Sequence, residues 1–250
     1  MARDSAQYIR LAAAQINPIV GDIPGNTEKV RNALEQAGKQ QVQIVAFPEM
    51  ALSGYPPRDL LLKTQYLDDL QSYMQQLIPE TKGLTAIIGT VIREQDVFNA
   101  AAVIHDGHLL GYVPKTNLPN YRVFDEKRYF RSGSERLLFE TDLLTFGVVI
   151  CEDLWHPRTV ARLAECGIDL LVAISASPFN VGKPEERRTL LSARAADHNL
   201  AVLYCNQVGG QDELVFDGRS MVVDPDGNLL GQAKAFEEDL LITDVYLEEL

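Results

Sequence analysis

Long apolar runs are missing from this chain. A helix that crosses a bilayer needs about 20 consecutive apolar residues, and the longest strong run among the 250 residues, Leu143 to Cys151, is interrupted by Thr145 and Gly147. The N-terminus is mixed in charge and holds no continuous apolar stretch of the kind a signal peptide uses, so neither a membrane span nor such a leader is expected. Basic residues are scarce as well: 23 Lys and Arg stand against 35 Asp and Glu, a formal charge of −12. An acidic surface repels phosphate backbones and anionic lipid, which disfavours nucleic acid and membrane surfaces as partners. Cysteine is limited to Cys151, Cys166 and Cys205, which cannot all pair within one chain. None forms a C-x-x-C unit and the four histidines are too spread for a zinc site, so no metal is expected. The expected setting is a reducing cytoplasm, where an unpaired thiol persists and one can be reactive. There is no G-x-S-x-G elbow and no Walker loop. With no repeat, low-complexity tract or Ser/Gly-rich linker either, residues 1–250 read as one domain.

What is present is the composition of an ordinary folded chain, 46% apolar and 23% charged. Apolar alternation predicts strands over Tyr8 to Ile16, Val42 to Phe47, Thr85 to Arg93, Phe98 to His105, His108 to Val113, Thr145 to Ile150, Asp169 to Ser175 and Ala201 to Asn206. Helical spacing predicts helices over Gly25 to Gln40, Thr64 to Thr81, Pro157 to Cys166 and Glu185 to His198. The first of these carries Val30, Ala33, Leu34 and Ala37 on one face, with Asn26 as its N-cap. The tail from Leu214 to Val245 reads as a meander of short strands. His105-Asp106-Gly107-His108 reads as a hairpin tip rather than a metal site, and Glu237-Glu238-Asp239 as a solvated face. Cys166 and Cys205 read as packed thiols. Strands such as Asp169 to Ile174 look buried on both sides, which suits sheets covered by helices.

Chemistry-bearing residues stand where strands stop. Glu49 follows the run Ile44 to Phe47 and Pro48; Lys115 follows Leu110 to Pro114; Cys151 follows Phe146 to Ile150, with Glu152, Asp153 and Trp155 after it. Residues just past the carboxyl ends of parallel strands converge on a common crevice, so a shared strand direction would let these three meet. An ammonium beside a thiol favours the thiolate. A carboxylate there could take the thiol proton and return it to a leaving amine. The Lys, with a backbone N–H after Cys151, could stabilise an oxyanion. That is acyl transfer from an amide through a thioester.

Longer words then carry a resemblance. Phe47-Pro48-Glu49 with Leu52–Pro56 (LSGYP), Lys115–Tyr121 (KTNLPNY) and Cys151-Glu152-Asp153 resemble the nitrilase superfamily, whose members use a Glu-Lys-Cys triad. Asn120–Arg128 (NYRVFDEKR), Ser175–Phe179 (SASPF), Gly182-Lys183 and Asn206–Gly218 (NQVGGQDELVFDG) resemble, more narrowly, the glutaminase domains of glutamine-dependent NAD synthetases. The resemblance runs from Ala14 to Asp239. It implies an α/β fold, an αββα sandwich of two mixed sheets flanked by helices, pairing into homo-oligomers through its outer helices. It implies Glu49 as general base and acid, Lys115 as oxyanion stabiliser and Cys151 as nucleophile. Glu126 matches the superfamily's second glutamate, which orients the Lys and can touch substrate. Tyr121, Ser177 and Lys183 match positions that hold glutamine, and Trp155 a position that walls the pocket.

The implied reaction is hydrolysis of the glutamine side-chain amide to glutamate and ammonia, with no cofactor in this domain. ATP, Mg and deamido-NAD are expected only at a synthetase domain or subunit, whose Ser/Gly-rich pyrophosphate loop this sequence lacks. A linker to such a domain is expected to begin at Leu247 to Leu250. A free-standing amidase or carbamoylase of the same superfamily, and a regulatory module with an idle triad, stay open as alternatives.

Overall fold

Strand alternation sorts the apolar residues into separate cores, and that sorting produces four layers. In the computed structural model, which describes residues 8–134 and 137–246, the first half runs β1 (Tyr8–Gln15), α1 (Ile23–Lys39), β2 (Ile44–Ala46), α2 (Thr64–Leu77), β3 (Thr85–Arg93), β4 (Val97–His105) and β5 (His108–Pro114). The second half runs β6 (Leu138–Glu140), β7 (Thr145–Ile150), α3 (Glu152–Trp155), α4 (Pro157–Ala164), β8 (Leu170–Ser175), α5 (Lys183–His198) and β9 (Ala201–Asn206). The tail adds β10 (Val208–Gln211), β11 (Leu214–Asp217), β12 (Met221–Val223), β13 (Leu229–Gln232) and β14 (Asp239–Tyr246). One six-stranded sheet has the order β14-β1-β2-β3-β4-β5, the other β13-β12-β9-β8-β7-β6, and β10 and β11 form a separate hairpin.

The period of two decides the layers. In β8, Leu170, Val172 and Ile174 face the core between the sheets, where they meet Leu11, Ala13, Ile44 and Ala46. Leu171 and Ala173 face the opposite way, against Val160, Leu163, Leu191 and Ala195 of α4 and α5. Ala12 and Ala14 of β1 pack on Val30, Leu34 and Ala37 of α1 and Leu70 and Met74 of α2. The αββα sandwich is therefore observed. None of the described helices is long and apolar enough to cross a membrane.

Several local expectations are corrected. Asp22, not Asn26, caps α1: its Oδ1 accepts from the Gly25 N–H at 3.0 Å. Asn26 is buried inside the helix and bridges Ile19 and Leu52. The tail is not one meander, because β12 and β13 join the second sheet while β14 crosses over to pair antiparallel with β1. Cys205 is packed, whereas Cys166 lies exposed just past α4. Glu237 and Glu238 are exposed, as expected of a solvated face, and Glu238 also accepts from the Asn17 N–H and Lys29. Leu247 to Leu250, where a linker was expected, lie outside the described residues.

Strand direction positions the site. β2 runs parallel to β3, β3 antiparallel to β4 and β4 antiparallel to β5, so β2 and β5 point the same way and end at the same edge. β7, β8 and β9 are mutually parallel in the other sheet. Glu49 and Lys115 thus come from one sheet and Cys151 from the other, facing each other across the sandwich rather than along one open sheet. Gly89 in β3 makes room for the turn at Glu49: a Cβ there would sit 2.1 Å from the Pro48 carbonyl oxygen and 2.7 Å from the Glu49 Cα. Gly89→Ala should force the Pro48–Met50 backbone aside and cost about 1–3 kcal/mol, the usual range for overpacking. Urea denaturation checks this, and an unchanged midpoint would contradict the close approach.

Candidate active site

The centre of the site is a dry cluster of charges. Lys115 is 1% exposed and its Nζ donates to Glu49 Oε1 at 2.7 Å and to Glu126 Oε1 at 2.8 Å. Burial works against the ammonium, but the Glu126 and Glu49 carboxylates outweigh it and hold Lys115 well above its ordinary pKa. Glu49 is fully buried; its Oε1 also accepts from Asn99 Nδ2 at 2.6 Å and its Oε2 from the Ala176 N–H at 2.9 Å. Glu126 Oε1 takes a further hydrogen bond from the Tyr55 hydroxyl at 2.8 Å, while its Oε2 is buried without a partner. Burial first, then the neighbouring Glu49, pushes the Glu126 carboxyl up to about 7, against the opposing pull of Lys115.

Cys151 stands at the end of β7 with φ +46° and ψ −95°, a backbone conformation that L residues rarely adopt. Its N–H donates to the Ile174 carbonyl at 2.8 Å, fixing the turn to β8. Asp153 closes the turn from the other side. Its carboxylate accepts from the Ile150, Thr116 and Asn117 N–H groups at 3.3, 3.2 and 2.6 Å, which ties the Cys151 turn to the segment just after Lys115. The thiol is pushed well above its ordinary pKa, by burial first and then by Glu49, and Lys115 does not overcome them. Lys115 does pull the thiol down, as expected, but burial and the two carboxyls together outweigh that one cation.

From Cys151 a cavity of about 550 Å³ opens outward, walled by Tyr121, Glu152, Trp155, Ser177, Phe179, Lys183 and the β10–β11 turn. Lys183 is the first residue of α5, and its Nζ lies 3.5 Å from the centre of the Trp155 ring, a cation–π contact that holds it on the wall. Tyr121 is half-exposed at the mouth and donates to Glu152 Oε2 at 2.8 Å; burial and that carboxylate push its phenol up to about 12. Ser177 is buried, its backbone held by Asn206 through bonds of 2.8 and 3.2 Å. Glu126 lines a neighbouring cavity of about 360 Å³ with Met50, Tyr55 and Tyr129.

The structure therefore brings Glu49, Lys115, Cys151 and Glu126 into one cluster and sets Tyr121, Trp155, Ser177 and Lys183 around the adjoining cavity. Sequence reading missed Asn99 and the Ala176 N–H on the carboxylates, and gave no role to Tyr55 on Glu126, Asp153 behind Cys151 or Glu152 on the wall. Asn99 had a signal: it is the only strongly polar side chain in the run Val97 to Ile104. Among the described residues, no group of three or more His, Cys, Asp or Glu is placed to hold a metal ion.

The chain matches the carbon-nitrogen hydrolase family over residues 10–250. It belongs to that family. Similar sequences include the glutamine-dependent NAD(+) synthetase of Thermotoga maritima, 44% identical over 96% of this chain and 42% of that protein. That of Aquifex aeolicus is 46% identical over 96% of this chain and 43% of its own length. The chain thus spans less than half the length of these relatives. Among solved structures, the glutamine-dependent NAD+ synthetase from Acinetobacter baumannii superposes with a TM-score of 0.89 at 41% identity, over 95% of this chain and 45% of that one. An amidase from Nesterenkonia sp. superposes with a TM-score of 0.88 at 24% identity, over 98% of this chain and 94% of that one, and shows the shared fold.

The Glu126 carboxyl gives a signed pH prediction. Its value rises from 4.5 to about 7 on folding, so its stabilising proton is fully present below pH 4.5 and is lost as pH rises through about 7. Glu126→Gln removes the titration. The melting temperature of the native chain should fall relative to this variant across that window; parallel curves would contradict the burial of Glu126 as a titrating acid.

Proposed function

We propose that this chain is a glutaminase: it hydrolyses the side-chain amide of glutamine through a thioester on Cys151, releasing glutamate and ammonia. The observation that carries the reading is the cavity on Cys151, whose wall holds both a fixed cation, Lys183, and a carboxylate, Glu152. A free α-amino acid carries one charge of each sign, and such a wall suits it. The 44% identity to a glutamine-dependent NAD(+) synthetase supports the same substrate.

The cluster performs the chemistry as follows. Cys151 Sγ attacks the amide carbon while its proton passes to Glu49, so no free thiolate need exist beforehand. An ammonium has three N–H donors; Lys115 gives one to Glu49 and one to Glu126, and the third remains for the developing oxyanion, beside the Glu152 N–H. Collapse expels the amide nitrogen, to which Glu49 returns the proton, and ammonia leaves. Water then attacks the thioester, Glu49 takes its proton, and that proton restores the thiol as glutamate departs. Glu126 holds the ammonium in line; its carboxyl lines the neighbouring cavity rather than the one on Cys151, so its expected contact with substrate is not part of this reading. Tyr121, Ser177, Lys183 and Trp155 hold the amino acid.

On this reading no cofactor acts in this domain. ATP, Mg and deamido-NAD belong to a synthetase domain or subunit that consumes the ammonia. Residues 1–250 form the single glutaminase domain, working in a cytoplasmic homo-oligomer.

Cys151→Ala should keep the fold by circular dichroism and lower glutamate release by about 10⁴-fold or more, as loss of a nucleophile does; near-native turnover would refute the assignment. A substrate panel tests the substrate: turnover only of other small amides would sink the glutaminase reading in favour of a free-standing amidase. Lys183→Met should raise KM for glutamine about 10- to 100-fold, the worth of one charge-assisted contact, with kcat little changed. An unchanged KM would remove Lys183 from the substrate site.

A further inference from the structure

Asn99 sits in the middle of β4, 1% exposed, in an otherwise apolar stretch of strand. Its Nδ2 donates to Glu49 Oε1 at 2.6 Å, yet its Oδ1 is buried with no partner. An Ala or Val would complete this strand without stranding an amide oxygen, so packing does not account for the residue. Its backbone carbonyl accepts the Lys115 N–H at 2.8 Å, so one residue holds both members of the Glu49–Lys115 pair, one through its side chain and one through its main chain.

The hydrogen-bond inventory of Glu49 gives this a consequence. Each carboxylate oxygen has about two acceptor sites. Oε1 fills both, with Asn99 Nδ2 and Lys115 Nζ. Oε2 fills one, with the Ala176 N–H. The remaining site is on Oε2, at the end of β8, where the Glu49 N–H meets the Ser175 carbonyl and the Cys151 N–H meets the Ile174 carbonyl.

We infer that Asn99 is a positioning residue for Glu49: it saturates Oε1, so that the proton exchanged with Cys151, the substrate nitrogen and water is confined to Oε2. A hydrogen bond donated to a carboxylate favours its charged form, so the Asn99 donor works in the direction a base needs. The inference rests on Glu49 being the base of the proposed glutaminase.

The test is the pH dependence of glutamine hydrolysis. Asn99→Leu removes the donor at nearly constant volume; without it the carboxylate is less favoured, and the acid limb of kcat/KM should move up by about one pH unit. kcat should fall about 10- to 100-fold while KM for glutamine stays within about threefold, because the residue touches Glu49 and not the substrate. Asn99→Ser, which keeps a shorter donor, should give a smaller shift and stands in if the Leu variant does not fold. An acid limb that does not move in a folded variant, or a loss confined to KM, would overturn the inference. Glu49→Ala separates the two levels. If that variant keeps its turnover, the base assignment itself falls. If it is inactive while the Asn99 variants keep the native limb and kcat, only the role of Asn99 falls.

Discussion

The Lys115 ammonium, held out of water between two carboxyls, is the constraint on which the rest of this site depends. Burying an ion costs several kcal/mol even after relaxation, and at 1% exposure Lys115 recovers it only through Glu49 and Glu126, at 2.7 and 2.8 Å. Removing either partner would leave an uncompensated buried charge. The fold is arranged to supply both. β2 and β5 end at the same edge, Gly89 lets the Glu49 turn cross β3 at close range, and the segment after Lys115 returns Glu126 to within reach. One cation cannot hold two carboxylates fully ionised in a dry site, so the imbalance falls on Glu126, pushed up to about 7.

The same imbalance acts on Cys151. A thiolate at Cys151 would add negative charge to a buried cluster in which Lys115 is already shared between Glu49 and Glu126. The Cys151 thiol is therefore held above its ordinary pKa, and on the proposed reading its proton passes to Glu49 as Sγ attacks. The positive φ at Cys151 aims the side chain out of the strand end, and Asp153 holds that turn and the Lys115 segment as one unit. Strain in the backbone is tolerated here because four surrounding hydrogen bonds fix the turn.

The long strands were legible because their alternation is unbroken: β3, β4, β7, β8 and β9 lie within a residue or so of their predicted bounds. Glu49, Lys115 and Cys151 were legible because each follows a clear strand end, two of them marked by Pro48 and Pro114. The division into two sheets was not, since both carry the same period, and it came from the resemblance alone. β6 and α3, at three and four residues, are too short to show any period. Glu126 lies in the charged run Asp125 to Arg128, which reads as solvent-facing, so its burial has no local signature. Asn99 stands out as the one strongly polar side chain in Val97 to Ile104, but its partner Glu49 and those of Asp153 lie elsewhere in the sequence, which does not name them.

The central claim is that burial and the neighbouring carboxyls outweigh Lys115 at Cys151 and hold its thiol above the ordinary pKa. The most direct measurement is the ultraviolet thiolate absorbance of the native protein minus that of Cys151→Ala, followed as pH is raised. The account predicts no increment from Cys151 until well past 9.0, the ordinary value for a thiol. An increment centred near neutral pH would show a resting thiolate–ammonium pair and contradict it.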